Sequence, residues 1–169
     1  MPSPQAARRC ASRAGIHGAV HISARHDYAV QAMLAIAAAG GGPVKTSDLA
    51  ALQGIPVSYL PSILADLRRA ELLSSRPGTD GGFSLARRIE RISVGDIMRA
   101  VSGALASVRG RPPHTITYTG AATALPGLWR SVHASTSDLL DSTTLLDLLR
   151  DDEADRRSDR DATADGRHS

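Results

Sequence analysis

The sequence predicts a mainly α-helical protein carrying one small β-hairpin, and three observations lead there. Apolar residues recur at helical spacing in four segments between residues 21 and 102. A turn built from Pro77-Gly78 and Asp80-Gly81-Gly82 lies between the apolar pair Leu72-Leu73 and the alternating run Phe83-Ser84-Leu85, which reads as a hairpin with a protruding tip. Aromatic residues are only 3% of a chain that is 42% hydrophobic, so the core must be aliphatic and helix-rich.

The elements follow in order. In "SARHDYAVQAMLAIAAAG", Ser23 is the expected N-cap, Tyr28, Met33, Leu34 and Ile36 supply an apolar face, and Gly40-Gly41-Gly42-Pro43 stops the helix. In "KTSDLAALQG", Thr46 or Ser47 can cap, Leu49 and Leu52 point inward, and Gly54 ends the helix. In "IPVSYLPSILADLRRAELL", Ser58 is the expected cap and Leu60, Ile63, Leu64 and Leu67 share a face. With that cap, Pro61 falls in the first turn, where its missing N–H is not needed. After the hairpin, "RISVGDIMRAVSG" forms a fourth helix, capped by Ser93, with Val94, Ile97, Met98 and Val101 buried.

Two helices joined by a Gly-containing turn, then a hairpin and a further helix, are the order of a winged helix-turn-helix. A plain helical bundle shares the periodicity, but the hairpin placed directly after the third helix argues against it. The remainder divides by composition. Residues 1–20 are polar, small and aperiodic and read as a disordered leader. Residues 103–124 are rich in Gly, Pro and Thr and read as a linker or irregular segment. Residues 125–150 return to helical pattern, with Leu128, Val132, Leu139 and Leu140 in an incomplete apolar stripe and a capped "STTLLDLLR" after it. Residues 151–169 lack large apolar side chains and read as a solvated, disordered charged tail.

Charge is uneven. Residues 21–111 hold 11 Lys and Arg against 7 Asp and Glu, whereas residues 112–169 hold 6 against 10. A basic front suits a polyanion. In a winged helix-turn-helix the third helix enters the major groove with its N-terminal residues on base edges. Ser58, Tyr59 and Ser62 occupy those positions, and their hydroxyls can donate or accept. Arg76 supplies a cation beside the wing tip, where Gly78 and Gly81 let backbone approach a duplex. Arg25, at the start of the first helix, joins the candidate DNA-binding set.

Other classes find little support. No run approaches the roughly 18 apolar residues of a membrane span. One cysteine, Cys10, cannot make an internal disulfide framework, and a cytoplasmic location follows by default. There is no phosphate-binding Gly loop with Lys, no nucleophile elbow and no suggestive carboxylate pair, so the chain reads as no enzyme. His26, His114 and His133 lack a clustered partner set and read as packing or solvated histidines, so no metal site is expected. The competing reading is a winged-helix interaction module whose activity is set by a partner protein.

The segments "ISARHDYAVQAMLAIA", "GIPVSYLPSILADLRRAELLSSRPGTDGGFSLAR", "ISVGDIMRAVSG" and "LWRSVHASTSDLLDSTTLLDLL" resemble the Rrf-two (BadM-type) family of bacterial transcription regulators, over about residues 22 to 149. The resemblance implies a sequence-specific regulator, most simply a repressor, that binds double-stranded DNA as a homodimer. It implies that a long C-terminal helix makes the pair, here through Leu128, Trp129, Val132, Leu139 and Leu140. Two departures stand out. Relatives often carry Glu-Gln where this chain has Pro61-Ser62, so its sequence preference should differ. Cluster-bearing relatives carry three cysteines between the fourth helix and the Leu-Trp pair, where this chain has none. The expectation is therefore a regulator without an iron–sulfur cofactor, whose signal comes from a small molecule, from a partner protein or from neither. The resemblance starts near His21, which leaves residues 1–20 outside it.

Overall fold

The computed structural model describes residues 22–40, 42–102 and 117–165. Helix α1 (Ala24–Ala38) starts at Ser23, whose hydroxyl accepts from the His26 amide at 3.3 Å, as the capping pattern predicts. Helix α2 (Thr46–Gln53) ends at Gly54, which adopts the left-handed conformation (φ 63°). Its start differs from expectation. Lys45 holds the N-cap position in extended conformation, and neither Thr46 nor Ser47 caps. The cause lies one residue earlier: Val44 pairs with Phe83 of the wing through two backbone hydrogen bonds of 2.9 Å, which keeps the chain extended up to the helix.

Helix α3 (Leu60–Arg69) corrects a second cap. Tyr59, not Ser58, occupies the N-cap position, with helical backbone angles and no side-chain cap. A tight turn in which the Tyr59 amide donates to the Pro56 carbonyl (3.0 Å) runs straight into the helix, so no extended residue is left from which a hydroxyl could fold back. Pro61 sits in the first turn, where it displaces no hydrogen bond. All four predicted core residues of α3, Leu60, Ile63, Leu64 and Leu67, are fully buried.

The wing is an antiparallel pair, β1 (Leu73–Arg76) and β2 (Gly82–Leu85), in register from Leu73 opposite Leu85 to Arg76 opposite Gly82. The Val44–Phe83 bridge adds the α1–α2 connection as a minimal third strand. Helix α4 (Val94–Ser102) follows, closed by a reciprocal capping box: the Asp96 amide donates to the Ser93 hydroxyl at 3.0 Å and the Ser93 amide to the Asp96 carboxylate at 3.2 Å. Met33, Ile36, Leu49, Leu72, Ile92 and Ile97 join the α3 residues in one aliphatic core. The fold class is the predicted one: mainly helical, with a two-stranded wing after the third helix.

The C-terminal region is longer and more ordered in pattern than its composition suggested. Helix α5 (Leu125–Ser142) and helix α6 (Leu145–Asp165) are separated at Thr143-Thr144. That break is pinned to the winged domain: Val94 donates to the Thr143 carbonyl (2.9 Å), Leu145 donates to the Ile92 carbonyl (3.0 Å), and the Leu145 side chain is fully buried. Thr144 and Asp147 cap α6 reciprocally. The charged stretch expected to be a disordered tail continues α6 as helix to Asp165. The signal was i,i+4 charge pairing, Asp152 with Arg156 (3.0 Å) and Glu153 with Arg157 (3.4 Å), which supports a helix without large apolar residues. Of the expected irregular segment, residues 117–124 hold only a short 3-10 turn at Gly120–Ala122, and 103–116 lie outside the described residues, as do Cys10, His114 and the leader.

Candidate nucleic-acid interface

The start of α3 is open to solvent. Ser58 and Ser62 are exposed, and Tyr59 keeps 43% of its surface while its ring packs edge-on against Tyr28 with centroids 5.3 Å apart. Tyr28 thereby fixes the direction in which the Tyr59 ring projects. Val57, one residue before Ser58, is also exposed, at 63%. The expected reading positions are thus together on one accessible turn.

Arg76 ends β1 beside the tip, and its side chain has no ion pair among the described residues. It lines a cleft of about 540 Å³ between the wing and the start of α2, shared with Lys45 and Arg68. Sequence reasoning missed Lys45 and left Arg68 aside. The signal for Lys45 was its place immediately before a helix N-terminus, where the helix dipole and a cation attract the same anion. Arg68 is aimed at the wing by a 3.2 Å hydrogen bond to the Ser75 hydroxyl. Three cations thus line one cleft, which concentrates positive charge beside the wing.

The two wing glycines play different parts. Gly78 is exposed at the tip with φ 103° and open space where a Cβ would stand. Gly81 is buried instead, and a Cβ there would lie 2.1 Å from the Arg76 carbonyl oxygen. It closes the hairpin rather than presenting backbone to a partner.

Arg25 is likewise placed otherwise than expected. Its Nε donates to the Val101 carbonyl (3.0 Å), one terminal nitrogen donates to the Ser62 hydroxyl (2.8 Å), and the other pairs with the Asp66 carboxylate. The guanidinium is spent inside the protein, joining α1, α3 and α4. Asp66 also pairs with Arg69 at 2.6 Å. Partial burial pushes its carboxyl upward, but hydrogen bonds from Arg69 and Arg25 outweigh this and hold it below the usual 3.8. Next to Arg25, His26 is buried and its Nε2 hydrogen-bonds the Ser102 hydroxyl. Burial, then the Arg25 charge, keep its imidazole below the usual 6.5 and therefore neutral near pH 7.

On α5, Leu128, Val132 and Leu139 keep 53%, 47% and 66% of their surface. At about 100° per residue they fall within about 40° of one another around the helix. Asp141 lies about 140–180° away, and it is the residue that docks α5 onto α4, by a 2.6 Å pair with Arg99. The apolar stripe therefore points away from its own domain. Trp129 and Leu140 are half-buried on its flank.

These features agree with what the chain is similar to. The sequence model of the Rrf2 family, described as an iron-dependent transcriptional regulator, matches residues 22–151. The chain belongs to the Rrf2 family. It is 45% identical over 130 residues to a Mycobacterium tuberculosis (strain H37Rv) protein named for HTH-type transcriptional regulation, covering 76% of this chain and 81% of that one. Among solved structures, CymR, the global cysteine regulator of B. subtilis, superposes with a TM-score of 0.65 at 29% identity, covering 77% of this chain and 96% of that one. T. potens IscR does so with a TM-score of 0.62 at 35% identity, covering 78% and 88%. This is a family of DNA-binding transcription regulators and not of enzymes, as the sequence led one to expect. Among the described residues no helix is long and apolar enough to cross a membrane.

The family description names iron, and the donor set here does not fit an iron–sulfur cluster. Such a cluster takes about four ligands, mostly thiolates. The chain has one cysteine, and among the described residues no three His, Cys, Asp or Glu side chains gather to hold a metal.

Proposed function

We propose that this protein is a homodimeric, sequence-specific repressor that binds a palindromic duplex without an iron–sulfur cluster. The observation that carries the reading is the pairing of an open α3 start with a three-cation cleft beside the wing. Ser58, Tyr59 and Ser62 meet base edges in the major groove. Arg76, Lys45 and Arg68 meet phosphates, with Gly78 allowing the tip close approach.

The outward stripe Leu128, Val132 and Leu139 supports pairing of two copies along α5, flanked by Trp129 and Leu140. A C2 pair presents two recognition helices to the two halves of a palindrome. A dimer seated over a promoter blocks polymerase, which is the basis for reading it as a repressor in the cytoplasm. The donor set supports regulation by a small molecule or partner protein rather than by a cluster.

The test is selection of bound genomic fragments with purified protein, followed by footprinting and sedimentation. A palindromic footprint bound by a colourless, iron-free dimer is the expected result. Stoichiometric iron and sulfide after anaerobic purification would defeat the cofactor part. Tight binding to a protein partner without affinity for duplex DNA would replace the regulator by an interaction module.

A further inference from the structure

We infer that Arg25 is a positioning residue that makes Ser62 a hydrogen-bond acceptor toward DNA, so that Ser62 selects an exocyclic amino group of adenine or cytosine. The inference rests on the reading of α3 as the helix that meets base edges.

The donors and lone pairs around Ser62 decide its role. A serine hydroxyl has one proton to give and two lone pairs to offer. A guanidinium only donates, so at 2.8 Å the Ser62 oxygen accepts from Arg25. A carbonyl only accepts, so at 3.2 Å the Ser62 hydroxyl donates to the Tyr59 carbonyl. The proton and one lone pair are used within the protein. One lone pair remains on an exposed side chain at the start of α3. A base can satisfy it only by donating.

In the major groove the donors are the amino groups of adenine N6 and cytosine N4, while guanine O6 and N7 and thymine O4 are acceptors. A free serine would serve either kind by rotating its hydroxyl. Here the rotation is fixed, because Arg25 is itself held at two other points, the Val101 carbonyl and the Asp66 carboxylate. A planar fork held at three places keeps its direction, which a lysine cannot reproduce. Asp66 also balances the Arg25 charge, which leaves little of it for a phosphate.

The experiment uses the full chain and a randomised duplex library, with Arg25→Lys, Arg25→Ala and Ser62→Ala beside the wild type. Thermal melting first establishes which variants fold, and Asp66→Asn serves as a second way to release Arg25. The base pair whose preference disappears in Ser62→Ala marks the contact. In that pair the amino-bearing base is then replaced by its analogue lacking the amino group. Wild-type affinity should fall about fivefold, as for one neutral hydrogen bond, and Ser62→Ala should not respond. Arg25→Lys and Asp66→Asn should relax preference at that pair alone. Arg25→Lys should leave the salt dependence of binding unchanged. A preference unchanged in every Arg25 variant would overturn the inference, as would indifference of the wild type to the missing amino group. A salt slope lowered by about one in Arg25→Ala, with preference intact, would overturn it by making Arg25 a phosphate contact. If the wild type selects no sequence at all, the DNA reading itself fails.

Discussion

Replacing Gly82 by alanine should detach the wing from the body of the domain. Gly82 has φ 154°, and a Cβ built there would lie 2.5 Å from the Val44 carbonyl oxygen, 2.7 Å from its carbon and 3.0 Å from its nitrogen. These are backbone atoms and cannot swing aside. Val44 must move, and its two 2.9 Å hydrogen bonds with Phe83 must break. At about 1 kcal/mol each they account for about 2 kcal/mol, and the unfavourable φ of an alanine adds about 1 more. The expected loss is about 3 kcal/mol, a large share of the roughly 5–15 kcal/mol that holds a domain together. Gly78→Ala is the internal control. Its φ of 103° is also unfavourable, but a Cβ there meets nothing within 4 Å, so only about 1 kcal/mol is expected. Urea denaturation followed by far-UV circular dichroism measures both. The midpoint of Gly82→Ala should fall by about 1 M or more, and that of Gly78→Ala by much less. DNA affinity should fall in Gly82→Ala as well, because Arg76 pairs with position 82 across the hairpin. Equal midpoints for the two variants would refute the close approach at Val44 and the anchoring of the wing with it.

Three further outcomes are expected. Arg76→Ala should weaken DNA binding and lower the salt slope by about one, measured by fluorescence anisotropy across a salt series; an unchanged slope removes the wing from the interface. Leu139→Glu places a charge in the outward stripe of α5 and should shift sedimentation from dimer to monomer while leaving the melting of the winged domain in place. His26 favours its neutral form in the folded chain, so its contribution to stability is complete above the unfolded value of 6.5 and is lost as pH falls below it. Thermal melting between about pH 7 and 5 should therefore drop more steeply in the wild type than in His26→Gln. Asp66 and Asp96, held below 3.8, act only at lower pH.

Much of the fold was legible because each level agreed with the next. Ser93 is a helix cap in the sequence and caps α4 in space, where Asp96 returns the hydrogen bond. Leu60, Ile63, Leu64 and Leu67 are one helical face and one part of the core. What misled was local reading of residues decided by distant partners. Ser58 looks like a cap, yet the turn from Pro56 delivers Tyr59 to that position. Lys45 replaces Thr46 because Phe83, far along the chain, holds Val44 extended. Arg25 looks like a free cation, and only the meeting of α1, α3 and α4 commits it to Val101, Ser62 and Asp66. The charged tail lacks large apolar side chains, yet its i,i+4 pairs support a helix without them. Position in the sequence indicates residue type and period, whereas the partner of a long polar side chain is a property of the fold.

The central claim is that an open α3 start and a cationic wing cleft let a cluster-free dimer read a specific duplex. Footprinting the purified protein, with its iron content measured on the same sample, tests it most directly. The account predicts a protected palindrome, bound at a stoichiometry of one dimer per site by protein containing no iron, with affinity falling as salt rises. Protection without sequence preference, or a footprint that appears only when iron and sulfide are supplied, would contradict it.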